Sequence, residues 1–245
     1  MESFAARFPT VDSVGRLVAL WRYPVKSMAG EGLDAAEVSW HGLAGDRRWA
    51  FIQAGMERSN FPWLTIRERA EMWHYKPHFA DPERPEASPT LVSTPSGAEH
   101  DVTDAALAAE LGDGVRVIKQ NRGVFDAAPL SLITVQSIAA IDARVDPVLV
   151  PKRFRPNLVV EADGAFREDA WVGSVLRIGS MRMRVDQRDE RCVIVSTDPE
   201  TTERDPLVLK TIGAERDACL GVYGTTVEPG RVAVGDEVLL ESNVT

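Results

Sequence analysis

Cysteine is scarce: the 245 residues contain two, Cys192 and Cys219. Two thiols are too few for a disulfide framework, a four-thiolate zinc site or an iron–sulfur cluster held by this chain, so a reducing compartment, the cytoplasm, is expected. Long apolar runs are missing too. No segment approaches the roughly 20 apolar residues of a membrane helix, and residues 1–12 lack the basic and apolar regions of a signal peptide. No phosphate-binding loop with Gly-Lys-Ser/Thr occurs, Gly30-Glu31-Gly32 lacks the further glycine and helix of a dinucleotide fingerprint, and no nucleophile elbow sets a serine between glycines. His74 and His78 stand four apart, but Pro77 disrupts the helix that would bring both onto one metal. Positive charge is in deficit, 28 Lys and Arg against 37 Asp and Glu, for a formal charge of −9. The bulk surface therefore repels nucleic-acid phosphate and anionic lipid, and any bound anion needs a local basic pocket.

What is present is a succession of short strand-like segments. Residues 14–25 form the first, with Leu17, Ala19 and Trp21 on one side and Val18 and Leu20 on the other, a strand buried on both faces. Further strands are expected at 33–40, 49–53, 115–119, 158–161, 175–178, 181–185, 193–196, 220–227 and 238–240, with Ala54-Gly55 as a hairpin turn. The prolines at 82, 85, 89 and 95 make residues 81–97 a surface crossing without helix. One helix is expected from an N-cap at Thr103 or Asp104 through Leu111 to Gly112, and a second over 135–144, stopped by Pro147. Strands outnumber helices, so the fold class is mainly β, with closed or nearly closed antiparallel barrels and a few short helices. A seam at Asn121-Arg122-Gly123 divides the chain into residues 1–122 and 123–245.

Five stretches could carry chemistry. In Arg188-Asp189-Glu190-Arg191-Cys192, the flanking arginines favour thiolate, which is both nucleophile and soft metal ligand, although a packed core cysteine fits the same local sequence. In Arg153-Phe154-Arg155-Pro156-Asn157, a fixed-backbone proline would hold a guanidinium and an amide toward one anion; a solvated pair of arginines is the plain alternative. Tyr23-Pro24-Val25-Lys26-Ser27 and Gly45-Asp46-Arg47 each place a cation where a strand meets a turn. Thr65-Ile66-Arg67 puts a hydroxyl and a guanidinium on one face if extended.

Taken in their order along the chain, and with Asp198-Pro199 and Val234-Gly235-Asp236, these segments resemble the MOSC family in its long form, an N-terminal β-barrel domain followed by the MOSC β-barrel domain. The nearest subgroup is similar to the mitochondrial amidoxime-reducing component and its bacterial relatives. That resemblance implies a molybdenum cofactor whose metal takes the Cys192 thiolate. It implies that Lys26, Ser27, Arg47, Arg67, Arg155, Asn157 and Arg191 surround the cofactor, with Thr134 joining them ahead of the second helix. Reduction of N-hydroxylated small molecules such as amidoximes and hydroxylamines is the implied activity, with electrons from a separate protein. Family-level association also extends to pyridoxal phosphate binding. Two other readings keep the same residues: a cofactor or sulfur carrier with a Cys192 persulfide, and a β-barrel module binding another phosphate-bearing ligand. Glu190 departs from the family pattern, which has a small hydroxyl residue there. Cys219 matches no motif and reads as a packed thiol.

Overall fold

The computed structural model describes residues 11–146 and 148–241; Pro147, the expected helix stop, and most of residues 1–12 lie outside them. Seven strands close a barrel: β1 (Val11–Arg22), β2 (Leu130–Thr134), β3 (Leu158–Glu161), β4 (Val175–Ile178), β5 (Met181–Glu190), β6 (Cys219–Glu228) and β7 (Glu237–Glu241). They run in the order β3-β2-β6-β5-β4-β7-β1, and β1 pairs back onto β3 to complete the ring. One strand of the barrel thus comes from the opposite end of the chain to the other six. Closure leaves no free edge on the ring. The expectation of antiparallel sheets holds except at β2 and β3, which pair in parallel. Parallel neighbours need a crossover, and helix α2 (Val135–Asp142) begins it.

Inward side chains fill the barrel, among them Leu17, Leu20, Leu130, Leu132, Met181, Met183 and Val222. Leu17 and Leu20 share this interior although strict alternation would send them to opposite faces. A bulge explains it: Leu17 pairs with Val160 and Ala19 with Val159, leaving Val18 extra and 37% exposed. Beyond the bulge Ala19 and Trp21 turn outward, against a second apolar cluster that holds Ile133, Ile138, Val159 and Ile212. The expected grouping of Leu17 with Ala19 and Trp21, and a strand buried throughout, are both corrected by that one inserted residue.

Between β1 and β2 lies a smaller β unit with its own core, which includes Phe51, Ile66, Met72, Trp73 and Leu107. Its sheets pair Trp49–Ile52 with Arg116–Lys119, and Lys76–Phe79 with Thr90–Ser93 and Glu99–Asp101. Thr90–Ser93 is a strand inside the stretch expected only to cross the surface. Helix α1 (Ala105–Leu111) starts where expected, with the Asp104 carboxylate accepting from Ala106 N, and stops at Gly112. Helix α3 (Pro206–Arg216) was not anticipated, although Asp205 as N-cap and Pro206 in the first turn are its usual start signals. Residues 193–196 form a 3₁₀ turn, not a strand. Their backbone bonds are local, Val195 N to Cys192 O and Thr197 N to Ile194 O, and the Arg153 guanidinium takes Val195 O at 3.3 Å.

Candidate functional site

A cavity of about 260 Å³ opens where the barrel meets the smaller unit. Lys26, Ser27, Arg47, Arg67, Arg155, Arg191 and Cys192, all expected at a site, line it together. Its wall carries six cationic side chains and three carboxylates, Asp126, Asp189 and Glu190, inside a chain that is acidic overall.

Cys192 sits half-buried at the start of the 3₁₀ turn. The cation that reaches its sulfur comes from far away in sequence: Arg67 Nη2 donates to Sγ at 3.2 Å. The neighbours expected to supply that field point elsewhere. Arg188 turns to Asp169 and to Arg216 O, while Arg191 donates Nε to Leu220 O at 2.7 Å and Nη1 to Phe154 O at 2.8 Å. Gly221 makes room for Arg191: at φ +80° its backbone lies so close that a Cβ would fall 2.7 Å from Leu132 O and 3.1 Å from Arg191 Nη2.

Arg47 is the hub of the opposite wall. It pairs with Asp46, donates Nη1 to Asn157 Oδ1 at 3.3 Å and Nη2 to Arg155 O at 3.0 Å, and stacks on Tyr23 at 4.7 Å. The Arg155 carbonyl and the Asn157 side-chain oxygen therefore meet on Arg47 as acceptors. Arg155 donates to Met28 O at 2.6 Å and lies between Tyr23 and Trp73, with its other terminal nitrogen buried and lacking a hydrogen-bond partner. Burial, more than repulsion from Arg47, pushes Arg155 down to about 10, which leaves it charged at neutral pH. Lys26 is also lowered, by burial first, against the pull of Asp126 2.5 Å away. Ser27, Arg47 and Arg155 all have positive φ, at 65°, 49° and 52°. For L-residues that costs about 1–2 kcal/mol each, and such strain clusters at sites of function.

Two expected residues do not line the cavity. Asn157 is fully buried, held by the Ser131 N–H and hydroxyl and donating to Trp21 O at 3.2 Å, so it braces Arg47 from behind. Thr134 is also fully buried: its Oγ1 caps α2 by accepting from Ser137 N and donates to the Glu168 carboxylate at 3.0 Å. Asp126, Tyr223 and Phe61 escaped sequence reasoning. Phe61 lies under both Arg67 and Lys26, at 5.2 and 5.7 Å, and no local pattern distinguishes it from other exposed aromatics.

Two β units sharing a cationic cavity around one accessible cysteine define the class of protein. The MOSC domain model matches residues 99–239 and the MOSC N-terminal beta barrel domain model residues 14–121. The chain belongs to the MOSC family. It is similar to mitochondrial amidoxime-reducing component 1 of Danio rerio, 34% identical over 46% of this chain and 37% of that protein. It also resembles mitochondrial amidoxime reducing component 2 of Bos taurus, 23% identical over 93% and 84%, and the molybdenum cofactor sulfurase of Drosophila ananassae, 25% identical over 92% and 34%. The first of these alignments spans little more than a third of the relative. Among solved structures, the YUAD protein from Bacillus subtilis shares the fold with TM-score 0.55 and 13% identity, covering 96% of this chain and all of that one. Among the described residues, no helix is long and apolar enough to cross a membrane.

Proposed function

We propose that this chain is a cytoplasmic, molybdenum-cofactor-dependent reductase of N-hydroxylated compounds, with residues near 122 as the seam between its two domains. The observation that carries this reading is the Arg67–Cys192 contact at the edge of a cavity whose cations outnumber its acids. The donor set fits the group. A thiolate suits a sulfur-preferring metal, and buried guanidiniums, one with an unpartnered nitrogen on Arg155, suit an anionic pterin phosphate. Cys192 would hold the metal, and Lys26, Ser27, Arg47, Arg67, Arg155 and Arg191 would hold the rest. When bound, the cofactor supplies two-electron chemistry with oxygen-atom transfer.

The net reaction balances as R–NH–OH plus two electrons and two protons giving R–NH₂ plus water. The N–O bond breaks, an N–H bond forms and the oxygen leaves as water. The chain's own part is to orient and to exclude solvent: Arg47 and Arg155 form a rigid wall, and Arg67 fixes the Cys192 sulfur. With two cysteines the chain cannot ligate a ferredoxin-type cluster, so electrons come from a separate donor protein. The test is elemental analysis of protein purified from molybdenum-replete cells, with reduction of an aryl amidoxime by a chemical electron donor. One molybdenum per chain and turnover support the reading. Persulfide sulfur without metal would make it a carrier, and neither would leave a binding module.

A further inference from the structure

Reductive N–O cleavage consumes protons, and one buried acid lines the cavity without a role so far. Asp189 lies near the end of β5, where the register with β6 slips between Arg188, paired to Val222, and Glu190, paired to Cys219. Irregularities of this kind re-aim side chains beside active sites. Here the carboxylate is turned into the cavity wall and is 1% exposed, while neighbouring Glu190 is exposed. The Oδ2 oxygen of Asp189 has no hydrogen-bond partner; Arg191 Nη2 is 2.9 Å away but off the bonding direction, so that contact is coulombic. A second cavity-lining group, the Tyr223 phenol, also faces the carboxylate.

Resting on the reductase reading, we propose that Asp189 is the proton-transfer group of this cavity, delivering a proton to the oxygen that leaves the substrate and regaining it from solvent. A buried carboxyl with an unpaired oxygen in a reaction cavity is placed to hold a proton and release it inward. Burial raises Asp189 to about 6, against the lowering effects of Arg191, Tyr223 and Arg47, while Asp126 adds to the rise. Cys219, on β6, is the remaining titratable group that senses this carboxylate. The acid is therefore largely protonated at pH 5 and largely ionised at pH 7, within range of rapid exchange at physiological pH. Glu190 stands beside it in sequence but at the exposed rim, where solvent holds it.

Two measurements on wild type, Asp189→Asn and Asp189→Glu test the assignment. In the apo-protein, carbon-13 NMR of labelled Asp carboxyls should show one group titrating near 6 that disappears in Asp189→Asn; no such group would overturn the proposal. In the molybdenum-loaded protein, amidoxime reduction by wild type should fall about tenfold per pH unit above 6. Asp189→Asn should keep its molybdenum and lose about 100-fold or more in rate at pH 6, with that slope flattened, and Asp189→Glu should regain part of the rate. A wild-type rate and pH profile in loaded Asp189→Asn overturns Asp189 while leaving the reductase reading intact. Inactivity of loaded wild type overturns the reductase reading, and with it the destination assigned to the proton.

Discussion

Asp189 also ties the site to stability, in a direction opposite to that of most acids. Its folded-state value of about 6 lies above the ordinary 3.8 of an aspartate, because burial disfavours the ionised form more than Arg191 favours it. The folded state thus binds the proton more tightly than the unfolded chain. The stabilisation is fully present below pH 4 and is lost as pH rises through 6. A proton held about two pH units more tightly corresponds to about 3 kcal/mol, and solvent screens little of it because the side chain is 1% exposed. Asparagine keeps the shape and carries no charge at any pH. The replacement itself shifts stability by a pH-independent amount, the difference between an asparagine and the neutral acid, because the pull of Arg191 on the ionised form is already contained in the value of about 6. The stability of the variant relative to wild type should therefore rise by about 2.4 kcal/mol between pH 4 and pH 7, most of the full effect because the unfolded acid is already partly ionised at pH 4. For a chain this long that is a relative gain of about 5–10 °C in melting temperature. Urea unfolding of both apo-proteins at pH 4, 5, 6 and 7 reads the difference directly. A relative stability that stays level across this range would refute the buried, proton-holding carboxyl, whatever its role in catalysis.

Other perturbations separate the roles of the remaining residues. Cys192→Ala should fold normally, since the side chain is small and half-buried, and should lose amidoxime reduction; Cys219→Ala, assayed beside it, should keep the activity per folded molecule. Arg155→Ala should lower cofactor affinity about tenfold or more, the worth of one charge-assisted hydrogen bond of about 1.5–3 kcal/mol, and Arg155→Lys should recover only part because the planar fork is gone; molybdenum and pterin per chain at limiting cofactor measure both. Thr134→Val should cost about 1–3 kcal/mol in denaturant unfolding by uncapping α2 and removing one of the donors to the buried Glu168 carboxylate, with molybdenum content unchanged, whereas a loss of cofactor at full stability would return Thr134 to the site.

The mainly β architecture was legible in the amino-acid order, because strand alternation, caps and turn residues act within a few positions of one another. Asp104 before Ala105 and Gly112 after Leu111 bounded α1 in this way, since a cap reads only its own turn. The ordered motifs likewise grouped Lys26, Arg47, Arg67, Arg155, Arg191 and Cys192 before any geometry placed them. Which of these touch is settled by the tertiary fold alone. Arg67 and Cys192 are 125 positions apart, and no local rule distinguishes Arg67 from Arg188 or Arg191 as the partner of the sulfur. The same holds for Thr134 and Asn157, which the motifs grouped with the cavity residues but whose side chains are engaged by a helix cap and by the back of Arg47. A single bulge at Val18 moved half of β1 to the other face, because side-chain direction along a strand depends on the register with its neighbour and not on the strand's own sequence. Barrel closure from opposite ends of the chain and the burial of Asp189 follow from the same cause: both are set by pairing across strands, and pairing is a property of the folded molecule.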